Sequence, residues 1–549
     1  MKLSFTDFKG LRPARSPHLL NPDEAQTADD CKLHRGSLRA FDAEDNVYAL
    51  TGGADVDTIF YYRSGHWLQW GDDVDVVEGP VAGDTTYKLY FTGDGYPKKT
   101  RYSDATTGVG STEGTTSGAD EMPKKSYPIE SFTPTWTPTL NANNGGGSGD
   151  VRQVVYVYTI VTSWGEESGP SPVSAAIDHQ DGDEVVMESL KMDRQNSFAY
   201  TTDNWIVPGG WGGAGDGNGV YKCIVAGTSS AGDPGSWSDY SEVGTTRVDG
   251  TVTWECVEWD IIAVASPSVT IRLYRSNTSS DSAAYQFVKE GSSNTITDDV
   301  VDEDLSTVLP SSDYAAPPVD LANITSLGNF FAGTSKKDIY FCEPNLPHAW
   351  PVKYRTTIGG TPVAMAGIGH TLVVATNDFP YLIYGSHPGS MSAPQELPEP
   401  YPCVSKRSMA TWRETALYAT TNGVVRIASS GETALITDGY YDKEAWSALL
   451  PSSMQGVVYD DKYILFYESS PTSEKGVLSG TYGGLNIDLL TGVITRLTTR
   501  TSAAYVEPTS GKLYRVYFFE SVLLQESGTP HSSRTNLILA EDGNYLWME

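Results

Sequence analysis

A chain of 549 residues exceeds what one hydrophobic core usually holds, so two or three domains are expected. Its formal net charge of −31 excludes a protein that wraps a phosphate backbone, because such binding rests on Lys and Arg. Gly 54, Tyr 32 and Trp 13 with only 19% charged residues exclude a helical bundle and read as all-β material.

The chain opens on a broken segment, 8–41, in which Gly10, Pro13, Pro17 and Pro22 interrupt any period. Too little of it is apolar to fold alone, so residues 1–40 are expected to form an arm lying across something else. They carry seven Lys or Arg against five acids, a basic arm on an acidic body. Arg12, Arg15, Arg35 and Arg39 are the candidate contacts to a neighbouring copy.

NVYAL, TIFYYR, HWLQW, VDVVEG and TYKLYF then follow between Gly-rich turns, the spacing of an antiparallel meander. Residues 98–150 degrade into Thr, Ser, Gly and Pro and read as a loop and linker, ending in NANNGGGSGD. These make 41–150 the first part of one domain.

A different module starts at Val151 and runs to about 315. VRQVVYVYTIV, VTIRLYRSNT, YQFVKEG and TITDDVV read as strands of a fibronectin-type-III-like sandwich, with the turn SWGEES and the extended GPSPVS between them. Nested within it, 195–258 reads as a small β-module: VYKCIV, a turn at Asp249-Gly250, and TVTWECVEW, with Trp237 and Trp254 as its core. Cys223 and Cys256 are expected to pack unpaired, since the lack of a targeting segment suggests synthesis in a reducing cytoplasm.

From 316 to 549 the meander returns. TTNGVVRI, LLTGVITRL, PTSGKLYRV and EDGNYLWM repeat one strand-turn-strand idea, as in propeller blades. The expected architecture is therefore a β-propeller interrupted by the inserted sandwich and its nested module.

The search for chemistry finds little. No H-E-x-x-H or G-x-S-x-G occurs, the eight histidines lack metal-pair spacing, and the cysteines lack C-x-x-C, so no enzyme activity, metal or cofactor is expected. His370 reads as a turn residue. The acidic runs 72–75, 181–184 and 298–304 lack calcium-loop spacing and read as a solvated face. Trp205 and Trp211, among flexible glycines, form a candidate glycan-stacking platform, weighed against packing in the module's own thin core. No apolar run approaches the ~20 residues that span a bilayer.

Several short motifs resemble one family. Phe8-x-Gly10, Ala25-x-x-Ala28-x-x-Cys31 and Gly36-x-Leu38 look like the N-terminus of tail nozzle and hub proteins of short-tailed bacteriophages. DIYFCEPNLPHAWP, YTIVTSWGEESGPSP and the D-G-T-V-T-W module are similar to phrases of phage virion β-proteins. The resemblance implies a structural virion protein, made in the host cytoplasm, that forms a homohexameric ring. It implies portal and adaptor proteins, tail fibres or spikes as partners, and a channel that DNA crosses unbound. An acidic lumen would repel phosphates and ease ejection. A receptor-binding or fibre-attachment tail protein is the second reading, and a carbohydrate-active propeller enzyme the third.

Overall fold

The structure is a computed structural model. It describes residues 8–34, 37–49, 56–64, 66–106, 126–129, 133–134, 136–162, 164–188, 190, 194, 196–202, 204–206, 219–232, 237, 244–259, 270–277, 284–293, 295–468, 482–517, 522–530, 537–539 and 545–547. The chain is nearly all β and folds into two compact units. One comprises residues 1–126, 318–345 and 354–549, and the other 127–317 and 346–353.

The first unit is a β-propeller. Among the described residues, seven antiparallel sheets follow one another around it. Blade 1 is the hairpin Thr58–Arg63 and His66–Trp70, and blade 2 contains Asp75–Glu78, Leu89–Thr92 and Lys98–Thr100. Blade 3 runs from Ala322–Ser326 through Phe331–Ser335 and Asp338–Phe341 to Thr356–Thr357. Blade 4 is Pro362–Ile368, Thr371–Thr376, Tyr381–Tyr384 and Gln395–Glu396; blade 5 is Ala410–Trp412, Thr415–Thr420, Gly423–Ala428 and Thr433–Leu435. Blade 6 holds Gln455–Tyr459, Lys462–Glu468, Tyr482–Asp488 and Ile494–Leu497. Blade 7 joins Ala503–Val506, Leu513–Tyr517 and Val522–Pro530 to Asp42–Ala49 from the other end of the chain. The ring is therefore closed by a strand from each end, and the predicted strand NVYAL belongs to the last blade rather than to its sequence neighbours.

Side chains alternate along a strand, so a blade covered on both faces reads as a continuous apolar run. In blade 5, Ala416 and Tyr418 pack toward blade 4, while Leu417 and Ala419 pack toward blade 6. Blade 6 divides in the same way: Tyr463 and Leu465 face blade 5, and Ile464 and Phe466 face blade 7. Ile59 and Trp67 meet blade 7, and Phe60, Leu68 and Trp70 meet blade 2, which completes the circle.

The second unit contains a β-sandwich. One sheet is Thr139–Asn143, Val185–Glu188 and Ile296–Asp298; the other is Tyr156–Val161, Thr270–Asn277 and Ala284–Gly291. Tyr156, Tyr158, Ile160, Val185, Met187, Ile271 and Leu273 fill the space between them. The expected linker is part of this unit: Thr139–Asn143 and Ser148–Val154 are paired strands, and the unit begins at Tyr127 instead of Val151. Loop text also hid a strand, Lys98–Thr100, and a short helix, Tyr102–Thr106, in the propeller.

The GPSPVS stretch has a specific job. Ser168, Ser171 and Ser174 recur every third residue, the repeat of an extended polyproline-like segment. Each hydroxyl accepts the N–H of Ile160, Tyr158 or Tyr156, and each serine N–H returns a bond to the same residue's carbonyl. The outer edge of that strand is thus satisfied without another strand.

In the nested module, Trp205–Ile206, Gly219–Val225, Val252–Trp259 and Thr246–Asp249 form a sheet over a core of Tyr200, Ile206, Tyr221, Trp237 and Trp254. Cys223 and Cys256 are buried in that core and are not joined in a disulfide.

Candidate functional site

Two places in the propeller gather charged side chains into defined geometry. The first lies at the axis. The turn Lys406–Ser408 precedes the inner strand of blade 5, and Tyr463 and Ser405 pin it: the Tyr463 hydroxyl donates to the Ser408 carbonyl, and the Ser405 hydroxyl to that of Met454. From this turn Lys406 Nζ reaches Asp75 Oδ2 at 2.9 Å and Asp73 Oδ1 at 3.5 Å, across the ring in blade 2. Arg407 donates to the Asp57 carboxylate at 3.1 Å, to Gln455 Oε1 at 2.9 Å and to the Ser502 carbonyl, entering blades 1, 6 and 7 respectively. Groups on non-adjacent blades meet only over the axial opening, so these two cations span one mouth of it.

Burial there pushes the Asp75 carboxyl up to about 6, although Lys406 opposes the shift. Burial pushes the lysine the other way, but Asp75 and Asp73 outweigh it and hold its ammonium above the ordinary range.

The second place is the arm. Residues 8–31 fold back on blade 6, the outermost strand of which, Ile494–Leu497, would otherwise present an open edge. Leu11 N–H donates to the Ile494 carbonyl (2.9 Å) and Asp30 N–H to the Arg496 carbonyl (2.7 Å), while Arg496 N–H donates to the Ala28 carbonyl (2.9 Å). Leu11, Ala25, Ala28 and Cys31 are buried together, with Phe8 and Leu38 beside them. Gly10 has φ +80°, and a Cβ there would sit 2.6 Å from the Ile494 carbonyl oxygen. Of the N-terminal motif residues, Gly10, Ala28 and Cys31 therefore meet the blade, whereas Phe8, Ala25 and Leu38 pack within the arm and Gly36 lies outside the described residues.

The predicted arm cations divide. Arg12 stacks over the Tyr440 ring, 3.7 Å from its centroid, and pairs with Glu24. Arg15 makes a two-point contact with Glu24 at 2.7 and 3.0 Å. Both are engaged within the chain. Arg39 is exposed on the hairpin of Cys31–His34 and Ser37–Ala40. Arg35 lies outside the described residues, as do Trp211 and the side chain of Trp205, so the stacking platform is not described.

The acidic runs are not merely a solvated face. Asp73 and Asp75 serve the axial contact. Asp183 accepts the N–H groups of Gln180 and Gly147, which hold its carboxyl below the ordinary range. Asp298 is fully buried, with Arg275 Nη1 and the Tyr156 hydroxyl each 2.7 Å from its Oδ2. Asp302 takes the second nitrogen of Arg275. His370 is an exposed turn residue, as expected.

The carboxylate that sequence reasoning overlooked is Asp249, read there only as a turn former. It is buried and bound by Arg194 Nε at 2.7 Å and Nη2 at 2.8 Å, and by the Ser230 hydroxyl and N–H. Burial alone would raise its pKa, but these donors outweigh it and bring the carboxyl to about 2. The following Gly250 has φ +66°, and a Cβ there would meet the Thr228 carbonyl at 2.3 Å. The Asp-Gly pair is thus a lock as well as a turn.

Among the described residues, no group of His, Cys, Asp and Glu is arranged to hold a metal ion, and no helix is long and apolar enough to cross a membrane.

No family model matches the chain, and no curated protein sequence matches it. Solved structures similar to it include Sqt1 of Saccharomyces cerevisiae, at 8% identity and TM-score 0.29, covering 87% of this chain and 98% of that one. The Neurospora crassa Pan2 WD40 domain gives 7% and 0.27, covering 47% and 72%. BamB from Moraxella catarrhalis gives 12% and 0.21, covering 43% and 72%.

Proposed function

We propose that this chain is a structural tail protein of a short-tailed bacteriophage, a nozzle or hub subunit that assembles into a homohexameric ring. The observation that supports it most is the arm. Of the residues that resemble the nozzle N-terminus, Gly10, Ala28 and Cys31 meet blade 6 in this seam, and Phe8 and Ala25 pack beside them within the arm.

Two further features agree with this reading. The body is strongly acidic, which keeps DNA from adhering to a surface it passes. The propeller axis is spanned by Lys406 and Arg407, so the conduit for DNA in this reading lies between copies and not through each one. Arg39, exposed on the hairpin beside the seam, is in this reading the arm cation that meets a neighbour. Portal or adaptor proteins and fibres or spikes are the proposed partners in the virion. The test is the copy number of the purified chain, six in a closed ring.

A further inference from the structure

The strand order places particular loops on one face of the propeller. The turn between a blade's second and third strands, and the link from its fourth strand to the next blade, emerge on the same side. The axial mouth spanned by Lys406 and Arg407 is on this side, because Asp57, Ser502 and the turn Lys406–Ser408 all belong to links into inner strands.

Farther out on this face, three loops of blades 3 and 4 surround an open polar depression of about 540 Å³. Lys337 comes from the turn within blade 3, Gly359 to Thr361 from the link between blades, and Asn377 to Phe379 from the turn within blade 4. Tyr381 and Glu396 form its floor and far wall.

The walls are held rigidly. Thr361 N–H donates to Asn377 Oδ1 at 2.9 Å, and Asn377 N–H returns a bond to the Thr361 carbonyl at 3.0 Å. Thr376 Oγ1 accepts the Asp378 N–H and donates to the Phe379 carbonyl. The Tyr381 hydroxyl donates to Glu396, and Lys337 Nζ donates to the Gly359 carbonyl at 2.8 Å. Gly359 is needed for this closeness, since a Cβ there would lie 2.8 Å from the Tyr381 hydroxyl.

What remains unspent is a mixed set. Among the described residues, the Asp378 carboxylate, the Asn377 amide nitrogen and the second Glu396 oxygen have no protein partner, and Lys337 retains donors. An anion would meet the carboxylates of Asp378 and Glu396. A cation would meet the Lys337 ammonium. A peptide anchored by apolar side chains would find only the half-buried Phe379 and the buried Tyr381 among these polar groups. A neutral polyol ring suits all of them at once: its hydroxyls both donate and accept, and its C–H face lies on an aromatic ring.

We propose that this depression binds a neutral saccharide, one or two pyranose units, between blades 3 and 4. Open polar sites of this size hold small ligands weakly, with a dissociation constant on the order of 1 mM. The site is built from blades 3 and 4 alone.

The test is saturation-transfer NMR on the full chain with the methyl glycosides of glucose, galactose and N-acetylglucosamine as probes, and inorganic phosphate as a competitor. Transfer to the ring protons of at least one glycoside is expected. It should weaken about tenfold or more in the Asn377→Ala, Asp378→Ala double variant. Phe379→Leu should weaken it too, and phosphate should not compete. Asp378→Ser serves as a milder second variant should the double variant melt early. No transfer from any of the three probes, displacement by phosphate, or transfer that persists unchanged in the variants would overturn the proposal.

Discussion

Arg496, in the outermost strand of blade 6, holds the Asp29 carboxylate of the arm with Nε at 2.8 Å and Nη2 at 2.7 Å. On either side of this pair, arm and strand exchange main-chain bonds, so the arm gives blade 6 an additional edge. An uncovered edge strand recruits other strands. Removing residues 1–36 should therefore speed amide exchange at Leu11's acceptor strand, Ile494–Leu497, and raise aggregation. Exchange there that is unchanged by the deletion would show that the seam does not form. The pair itself is partly exposed, so Asp29→Ala alone is expected to cost about 0.5 kcal/mol.

Arg407 serves three blades with one guanidinium, so its loss leaves the Ser502 carbonyl and Gln455 without a donor. Its side chain is only 23% exposed. Arg407→Ala is expected to destabilise the propeller by about 2 kcal/mol, read by denaturant unfolding. Arg407→Lys should recover little, because an ammonium lacks the planar fork that reaches separate acceptors. Full recovery by lysine would reduce the contact to simple charge.

Asp249 should matter strongly to the stability of the nested module. Truncation strands the buried Arg194 guanidinium, so Asp249→Ala is expected to cost about 3–5 kcal/mol. A carboxyl lowered to about 2 contributes stability that is present above its ordinary 3.8 and lost as pH falls toward 2. Near-ultraviolet signals of Trp237 and Trp254 should be lost in that window in the native chain. Signals that persist in the alanine variant would refute the lock.

The sandwich carries a second acid response. His179 is fully buried against Arg275, with Nε2 and Nη1 3.0 Å apart. Burial first, and then the positive Arg275 and Arg152, lower its pKa; Asp298 and Asp183 act in the opposite sense without prevailing. The unfolded chain takes up a proton near the ordinary 6.5, whereas the folded ring resists it. Stability of the sandwich should thus be fully present above 6.5 and decline as pH falls below it. Unfolding free energies measured through this range should show that slope, and His179→Gln should flatten it. An equal slope in the variant would assign the effect elsewhere.

Strand positions were legible in the text because alternation and turn residues act locally. Blade boundaries were not. TTNGVVRI turns between the second and third strands of blade 5, LLTGVITRL between the third and fourth of blade 6, and PTSGKLYRV between the first and second of blade 7. Every hairpin looks alike in sequence, so these copies marked hairpins and not blades; of EDGNYLWM the described part, Tyr545–Trp547, pairs separately with Leu537–Leu539. The Gly-rich text at 141–150 looked like a linker because Asn143 and Gly147 serve a turn around Asp183, a partner that is distant in sequence. Lys406 and Arg407 carry no motif at all, since their meaning lies in four other blades meeting at one axis.

Electron microscopy of the purified 549-residue chain decides whether it assembles as a nozzle subunit. A closed six-fold ring with a central channel between the propellers is the predicted result. A monomer, a trimer, or a chain whose copies meet without enclosing a channel would contradict it.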